Sequence, residues 1–316
     1  MRIDEVAAGR PYDGVIQGRS ELIELLLAQN DPVVTISKRF PFCPSFPPRQ
    51  RVREALFQNL RLLYGIGSHY ARSLREKGYT SIPDLTSHPR FGKRAEELIA
   101  EWGEALDPAA VYRTLSDWLP PSHHLFLQSL ALLDSEGILF FDLETLGLAN
   151  APIFLIATGR IEEGSLTVAQ HLATSLEGEV SLLERFIREL AGTSALVSYN
   201  GRRFDWHMLR ERSFYYGLPF PEEPIHIDLL PHSRRRYGEI LPDLRLKTIE
   251  ERILNVRRGP DLPSCLVPVY YASYLETGDP TMLAPIISHN RQDIVSLAIF
   301  LSLLLEGRAD AGPTPS

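Results

Sequence analysis

The chain is poor in cysteine and has no long apolar run. It contains two cysteines in 316 residues, Cys43 and Cys265, too few for the disulfide framework of a small secreted protein. No Cys/His cluster of the kind that binds zinc is present. No apolar run approaches the ~18 residues that a membrane-spanning helix needs, and the first residues lack the apolar stretch of a signal peptide. These absences predict a cytoplasmic protein with free thiols and no membrane partner.

Charge is distributed unevenly along the chain. The formal net charge of −7 argues at first against a nucleic-acid partner. Residues 38–97, however, contain 12 Lys/Arg against 5 Asp/Glu, so the basic residues are concentrated in one segment. Local patches attract phosphate more than net charge does. The composition, 44% hydrophobic and 23% charged, is that of an ordinary globular protein long enough for two domains.

Two acidic residues stand at the end of an apolar run. Ile138-Leu139-Phe140-Phe141 is followed directly by Asp142-Leu143-Glu144, and a short apolar run of this kind predicts a buried strand. Residues i and i+2 of a strand point to the same face, so the two carboxylates lie side by side. Burying two like charges is costly unless a positive charge offsets them. Carboxylates are the ligands that Mg²⁺ prefers, so this strand end predicts half of a metal site.

Two later segments can complete that site. Phe204 to Tyr216 predicts a helix with Asp205 in its first turn, following a short predicted strand at Ala195 to Val197. Nearer the end of the chain, His289 and Asp293 are spaced i, i+4, so on a helix they share one face. The apolar spacing behind them predicts a helix packed on a core.

Asp-x-Glu on a first strand, Phe-Asp opening a helix and a late His-x-x-x-Asp resemble the DnaQ-like (DEDD) 3′–5′ exonucleases of the RNase H-like superfamily. Within that group the chain resembles the YprB-like exonucleases. The resemblance covers roughly residues 137–305 and implies an α/β fold, with a mixed five-stranded sheet flanked by helices. Its further supporting segments are Asp228-Leu229-Leu230, Leu246-Lys247-Thr248-Ile249-Glu250, Asp261-Leu262-Pro263-Ser264 and His289-Asn290-Arg291-Gln292-Asp293-Ile294-Val295-Ser296-Leu297.

The resemblance implies a two-metal mechanism with Mg²⁺ or Mn²⁺. Asp142, Glu144 and Asp293 would hold the first ion, while Asp142 bridges to the second and Asp205 contacts it. His289 is implied as the general base that takes a proton from the attacking water. DnaQ-like enzymes often place a His base five residues before the last Asp and a Tyr base four before it. This chain has a His at the four-residue spacing.

Each of these residues also has a plainer interpretation. An Asp-x-Glu pair at a strand end is more often two solvated loop acids. Asp205 could be a helix N-terminal residue favoured only by the helix dipole. Asp228 competes with it for the third acid, although its position favours a helix cap or a buried structural acid. Without Asp293 one turn later, His289 would be an ordinary surface or capping residue. Three aromatic residues are candidates for stacking on bases of a frayed 3′ end: Tyr199, Phe204 and Trp206. Of these, Phe204 fits a core position better.

The basic segment contains a motif of its own. Residues 60–78 resemble a helix–hairpin–helix, in which two helical patterns flank Gly65-Ile66-Gly67. The glycines permit a tight turn close to a phosphate, and Ser68 is predicted to cap the second helix. Such units hold the DNA backbone without reading sequence, whereas the plain alternative is a helical hairpin in a small bundle. The predicted nucleic-acid contacts are Gly65, Gly67, Arg72, Arg75, Lys77, Lys93 and Arg94.

The chain is therefore predicted to have a smaller N-terminal helical domain ahead of the α/β domain. Within the latter, Ile153 to Ile161 and Leu166 to Leu172 predict a hairpin, and Val180 to Leu190 predicts a helix. The predicted segments are a Pro-rich arm or lead-in at 1–50, a helical DNA-binding region at 51–136, the exonuclease domain at 137–306 and a disordered tail at 307–316.

The predicted function is a metal-dependent 3′–5′ exonuclease, acting in DNA repair on a single-stranded 3′ end or a duplex with a frayed end. An RNA exonuclease with the same chemistry stays open. A catalytically silent nucleic-acid-binding module is a third reading, against which the complete set of acids and the His speak. An RNase H-like endonuclease is a fourth, although that class usually lacks the late His-x-x-x-Asp helix in this form. A helicase partner would suit such a nuclease, but no residue indicates one.

Overall fold

A computed structural model describes residues 31–148, 150–259 and 261–306. The predicted disordered tail and most of the predicted lead-in lie outside these residues. The chain divides into two compact units. One contains strand β1, Val33–Pro41, together with Glu136–Leu301, and the other contains Ser45–Ser135.

The first unit is built on one mixed sheet, which has six strands in the described part of the chain, in the order β1-β4-β3-β2-β5-β6. Strands β2, β3 and β4 are successive antiparallel neighbours, whereas β5 and β6 continue from β2 in parallel. This mixed sheet confirms the predicted fold class. After β1 the strands are β2 Ile138–Thr145, β3 Ile153–Glu162, β4 Ser165–Ala173, β5 Ala195–Ser198 and β6 Ile225–Asp228.

The predicted count of five strands was one too low, because β1 was not recognised as a strand. It pairs antiparallel with β4 along its whole length, from Val33 opposite Ala173 to Pro41 opposite Ser165. The prolines that follow Phe40 suggested an extended arm. Proline is tolerated at the end of an edge strand, and β1 lies at the edge of this sheet.

Helices cover both faces of the sheet. Leu139, Phe141 and Leu143 of β2 belong to a buried cluster that includes residues of two helices, α6 (Glu179–Leu190) and α7 (Asp205–Tyr215). A second cluster joins Leu155 and Leu172 to two later helices, α10 (Val267–Thr277) and α11 (Leu283–Leu305). Because side chains alternate along a strand, Phe140 and Asp142 point to the opposite face. The helices of this unit are α6 Glu179–Leu190, α7 Asp205–Tyr215, α8 Leu229–Tyr237, α9 Leu246–Ile249, α10 Val267–Thr277 and α11 Leu283–Leu305.

The second unit is helical, as predicted. Its core includes Trp102, whose indole N–H donates to Thr114 Oγ1 at 3.1 Å. Ser68 was wrongly predicted as a cap, since Gly67 is the N-cap and no side chain caps that helix. None of the described helices in either unit has the length and apolar character needed to cross a membrane. The helices of the second unit are α1 Arg49–Phe57, α2 Ser68–Glu76, α3 Gly92–Trp102, α4 Pro108–Trp118 and α5 His124–Ser129.

Candidate active site

Asp142 and Glu144 lie in the second half of β2, the strand that joins the antiparallel and parallel parts of the sheet. Both are partly exposed, whereas Phe141 and Leu143 beside them are buried on the opposite face. The register of β2 with β3 shifts between Glu144 and Thr145, an irregularity of the kind found next to active sites. The strand therefore presents both carboxylates on one face, as predicted.

Helix α11 brings the late motif to the same face. His289 and Asp293 stand one turn apart on this helix, with Nε2 3.6 Å from the Asp293 Oδ2. Between them, the Asn290 amide Nδ2 donates to Asp142 Oδ2 at 2.9 Å. Ligand atoms of Glu144, His289 and Asp293 all lie within 4.8 Å of one another. Residues almost 150 positions apart in the chain thus form one cluster, and their chemical roles remain predictions.

The carboxylates of this cluster repel one another. Burial raises the pKa of Asp142 well above its ordinary value, and the charges of Asp293, Glu144 and Asp205 raise it further. Burial, with the charges of Asp293 and Asp205, also raises the pKa of Glu144 to about 8. Burial and then the charge of Asp228 raise the pKa of Asp205 to about 7. These carboxyl groups ionise more readily when a positive charge lies near them. Their oxygen atoms therefore fit a divalent cation of the Mg²⁺ or Mn²⁺ type.

Asp205 is the first residue of α7, as the sequence predicted. It lies against Gly201, where an added Cβ would come within 2.7 Å of Asp205 Oδ2. Its rival Asp228 is confirmed as a helix cap, because its Oδ1 accepts from the backbone N–H of Leu230 at 3.0 Å and of Asn200 at 2.7 Å. Asp205 is therefore the acid of this pair that is not engaged in capping.

His289 is held by Asp261. The His289 Nδ1 lies 2.9 Å from Asp261 Oδ1, and its Nε2 lies 3.3 Å from Ser264 Oγ. Burial lowers the pKa of His289, but the hydrogen bond to Asp261 and the charges of Asp293 and Glu144 outweigh it, so the pKa lies above its ordinary value.

The Arg258 Nη1 also lies 3.1 Å from His289 Nδ1, yet one nitrogen cannot donate to a carboxylate and accept from a guanidinium at once. The carboxylate contact is the shorter one, and Arg258 has other acceptors. We therefore assign Nδ1–H to Asp261, which leaves the lone pair on Nε2.

Sequence reasoning missed Arg258 and Glu250. Arg258 donates to Glu250 through Nε at 2.5 Å and Nη2 at 2.7 Å, and it also ion-pairs with Asp293. Both side chains of the Arg258–Glu250 pair are buried. Glu250 begins a π-helical turn, Glu250–Leu254, a geometry that often accompanies functional sites. Arg258 follows Arg257 and precedes Gly259, a pattern typical of a solvated charged loop. The signal that could have indicated an ion pair is Glu250, eight residues earlier.

The three aromatic stacking candidates are not equally accessible. The Tyr199 hydroxyl donates to the Leu244 carbonyl at 2.6 Å, and its oxygen can accept from the Ser233 hydroxyl, whose Oγ lies 3.1 Å away. Burial raises the pKa of Tyr199 to about 12. Trp206 is buried. Phe204 is 52% exposed, so its prediction as a core residue was wrong. Phe204, at the N-cap of α7, is the most exposed of these three side chains.

All seven predicted nucleic-acid contacts of the second unit are exposed. Gly65 has φ +88°, a conformation that favours glycine, so the tight turn forms as predicted. Arg75 donates to the Gln58 carbonyl at 3.0 Å, and Lys93 lies 3.8 Å from the Glu97 carboxylate one turn along α3. The exposure of these groups is compatible with phosphate binding, which stays a prediction.

Comparison with known proteins places the sheet unit in a family. A family model described as the RNase H superfamily matches residues 139–305, more than half of the chain. An uncharacterized protein of Bacillus subtilis (strain 168), YprB, is 36% identical over 169 residues, which are 52% of this chain and 41% of that protein. The match thus spans less than half the length of this relative.

A solved structure, the family B DNA polymerase from the hyperthermophilic archaeon Pyrobaculum calidifontis, aligns with a TM-score of 0.41 and 17% identity. The alignment covers 53% of this chain and 24% of the polymerase chain.

Proposed function

The chain belongs to the RNase H superfamily, and from that premise we propose that it is a metal-dependent 3′–5′ exonuclease acting on DNA in repair. The observation that carries the proposal is the partly buried cluster formed by Asp142 and Glu144 of β2 with His289 and Asp293 of α11. Such a concentration of like charge is unfavourable in isolation and becomes favourable when cations bind.

Four carboxylates are available to hold divalent cations: Asp142, Glu144, Asp205 and Asp293. Bound cations would neutralise this cluster and stabilise negative charge on the attacking and leaving oxygens of a phosphodiester. Asn290 orients Asp142 through the amide that donates to Oδ2. Asp142 therefore keeps one oxygen fixed by the protein and the other available for a ligand.

His289 is the general base of the proposal. Asp261 accepts the Nδ1 proton, so the lone pair lies on Nε2, the nitrogen near Asp293. Nε2 can then take a proton from a water that attacks the phosphorus, and the imidazolium that forms is stabilised by Asp261. Transfer of this proton generates the hydroxide nucleophile, and the 3′-oxygen of the preceding nucleotide leaves. Because His289 also belongs to the group of possible metal ligands, its role as base needs a separate test.

The second unit supports a nucleic-acid substrate, and the resemblance of residues 60–78 to a helix–hairpin–helix favours DNA. Its exposed basic residues follow the turn at Gly65, and contacts to phosphates do not depend on base sequence. An RNA substrate with the same chemistry is the alternative, favoured by nothing specific in either unit.

Digestion of single-stranded DNA and RNA labelled at either the 3′ or the 5′ end tests the proposal, with Mg²⁺, with Mn²⁺ and with chelator. We expect the 3′ label to be released first as a mononucleotide, only with metal and only from DNA. Internal cuts or early release of the 5′ label would contradict the polarity. Cleavage of RNA but not of DNA would identify the protein as an RNA exonuclease. If neither DNA nor RNA is cleaved under any of these conditions, the protein is a nucleic-acid-binding module without nuclease activity.

A further inference from the structure

An exposed aromatic pair lies beside the glycine turn of the second unit. Tyr64 is 61% exposed and Trp118 is 38% exposed, and their ring centroids are 5.5 Å apart at an interplanar angle of 56°. Of the three tryptophans of the chain, Trp102 and Trp206 are buried. Large aromatic residues contribute most to stability when they are buried, so this pair calls for a different explanation.

The backbone forces Tyr64 outward. Leu63 and Ile66 are both buried, and the Ile66 N–H donates to the Leu63 carbonyl at 3.1 Å. This hydrogen bond closes a turn in which Gly65 has positive φ. Tyr64 stands at the tip of that turn, with anchored residues before and after it. Its ring therefore cannot move into the core without breaking the turn.

A guanidinium holds the ring in place. The Arg94 guanidinium carbon lies 4.9 Å from the Tyr64 ring centroid, and its Nη1 donates to the Tyr64 carbonyl at 3.4 Å. Cation–π contact with Arg is favourable, and a ring that is already ordered loses little entropy when it binds a flat partner. A second exposed contact of this kind occurs nearby, where Arg90 lies 5.6 Å from the Tyr70 ring.

We propose that Tyr64, Trp118 and Arg94 form a stacking site for an unpaired nucleobase of a single-stranded nucleic acid. The inference rests on the proposed function for its class of ligand and adds a preference for unpaired strands. Every base has a π-face, so stacking on aromatic rings is tolerant of sequence. The neighbouring basic side chains, Arg90, Lys93 and Arg94, supply the charge that the attached phosphates need. Bases paired within a duplex are not available for such stacking.

Binding is tested with the full chain in chelator, so that the result does not depend on cleavage. A thymidine oligonucleotide and a duplex of equal length are titrated, and affinity is followed by anisotropy. We expect Tyr64→Ala with Trp118→Ala to weaken single-strand binding by about 5- to 100-fold, the usual size of lost base stacking. Duplex binding should stay close to the original value. The pair Tyr64→Phe with Trp118→Phe keeps both rings and should keep the single-strand affinity.

Tryptophan fluorescence gives an independent readout. Because Trp118 is the exposed tryptophan, single-strand binding should quench the emission, and Trp118→Phe should remove that quenching while binding persists. Phe214→Ala is the matched control, since Phe214 is 64% exposed but lies in the other unit. Thermal unfolding checks that each variant is folded. If the double alanine variant does not fold, the affinity of Tyr64→Ala alone is measured instead.

Two results would overturn the proposal. One is an unchanged single-strand affinity in the folded alanine variant, which would make the aromatic pair a purely structural contact. The other is an equal loss of single-strand and duplex affinity. Neither result bears on cleavage, so the proposed nuclease function is judged separately by the digestion experiment.

Discussion

Arg258 and Asp293, 35 residues apart in the chain, are joined by an ion pair at the edge of the carboxylate cluster. The same guanidinium donates two hydrogen bonds to the Glu250 carboxylate. Asp293 is therefore held from the side by a buried cation, which also offsets part of the negative charge of the cluster. Burial lowers the pKa of Arg258, but the charges of Asp293 and Glu250 outweigh it. The pKa of Arg258 therefore lies above its ordinary value, and the guanidinium stays charged.

We expect Arg258→Met to lower the free energy of unfolding by ~3–5 kcal/mol, because it leaves Glu250 charged and unpaired in the interior. Chemical denaturation measures this loss. Adding Glu250→Gln should recover much of it, since position 250 then no longer holds a buried charge that lacks its cation. If Arg258 also positions Asp293, the stable double variant should still bind Mn²⁺ more weakly than the original chain in a calorimetric titration. Original affinity in the double variant would restrict Arg258 to a structural role.

Asp142→Ala should abolish hydrolysis while leaving the fold intact. The metal-free variant should be slightly more stable than the original protein, because one of the mutually repelling carboxylates is gone. Nuclease assays and thermal unfolding in chelator measure the two effects. Glu163→Gln, at a solvent-exposed side chain in the β3–β4 turn, is the control for loss of one negative charge. Full activity in the Asp142 variant would rule out the assigned site.

His289→Ala should slow cleavage by ~10²–10⁴-fold, the usual contribution of a general base. Metal affinity should be largely retained, in contrast to Asp293→Ala, and titration with Mn²⁺ compares the two. Asp261→Asn should produce a smaller loss of rate, because the imidazole loses the partner that fixes its tautomer. If His289→Ala loses metal affinity as severely as Asp293→Ala, His289 is a ligand.

Without metal, stability should fall as pH rises. Unfolded glutamate titrates near 4.5, whereas folded Glu144 has a pKa of about 8, and Asp205 one of about 7. Between these values the folded state holds protons that the unfolded state has lost, so each rise in pH favours unfolding. The raised pKa of His289 acts in the same direction, since its stabilisation is lost above the ordinary value of 6.5. Denaturation in chelator at about pH 5.5 and about pH 8.5 measures the slope. Glu144→Gln should flatten it, and a stability that rises with pH would contradict the assigned shifts.

Neutralising Lys93 and Arg94 together should reduce the salt dependence of DNA binding by about two phosphate contacts. Both residues are exposed on α3. The affinity for one duplex is measured over a series of salt concentrations. The aromatic variants of the stacking site should leave this slope unchanged, because they remove no charge. An unchanged slope in the charge-neutralised variant would mean that the segment serves only the fold.

Much of the sheet unit could be predicted because its signals are local. The apolar run that begins β2, the spacing of His289 and Asp293 and the Phe204-Asp205 helix start each depend on neighbouring residues. Arg258 was missed because its partners lie eight and 35 residues away. The partial burial of Tyr199 and the exposure of Phe204 could not be predicted either, since both depend on contacts made only in the folded chain.

The pairing of β1 with β4 makes the helical unit an insertion within the sheet unit. Val33–Pro41 precedes Ser45–Ser135 in the chain but hydrogen-bonds to a strand that follows it. Folding of the sheet must therefore close a loop as long as the whole helical unit, which slows association of the edge strand. A truncation that removes everything before β2 would also remove β1 and leave the edge of β4 open to pairing with other chains. A chain shortened to the nuclease alone should keep Val33–Pro41 and replace the helices with a short linker.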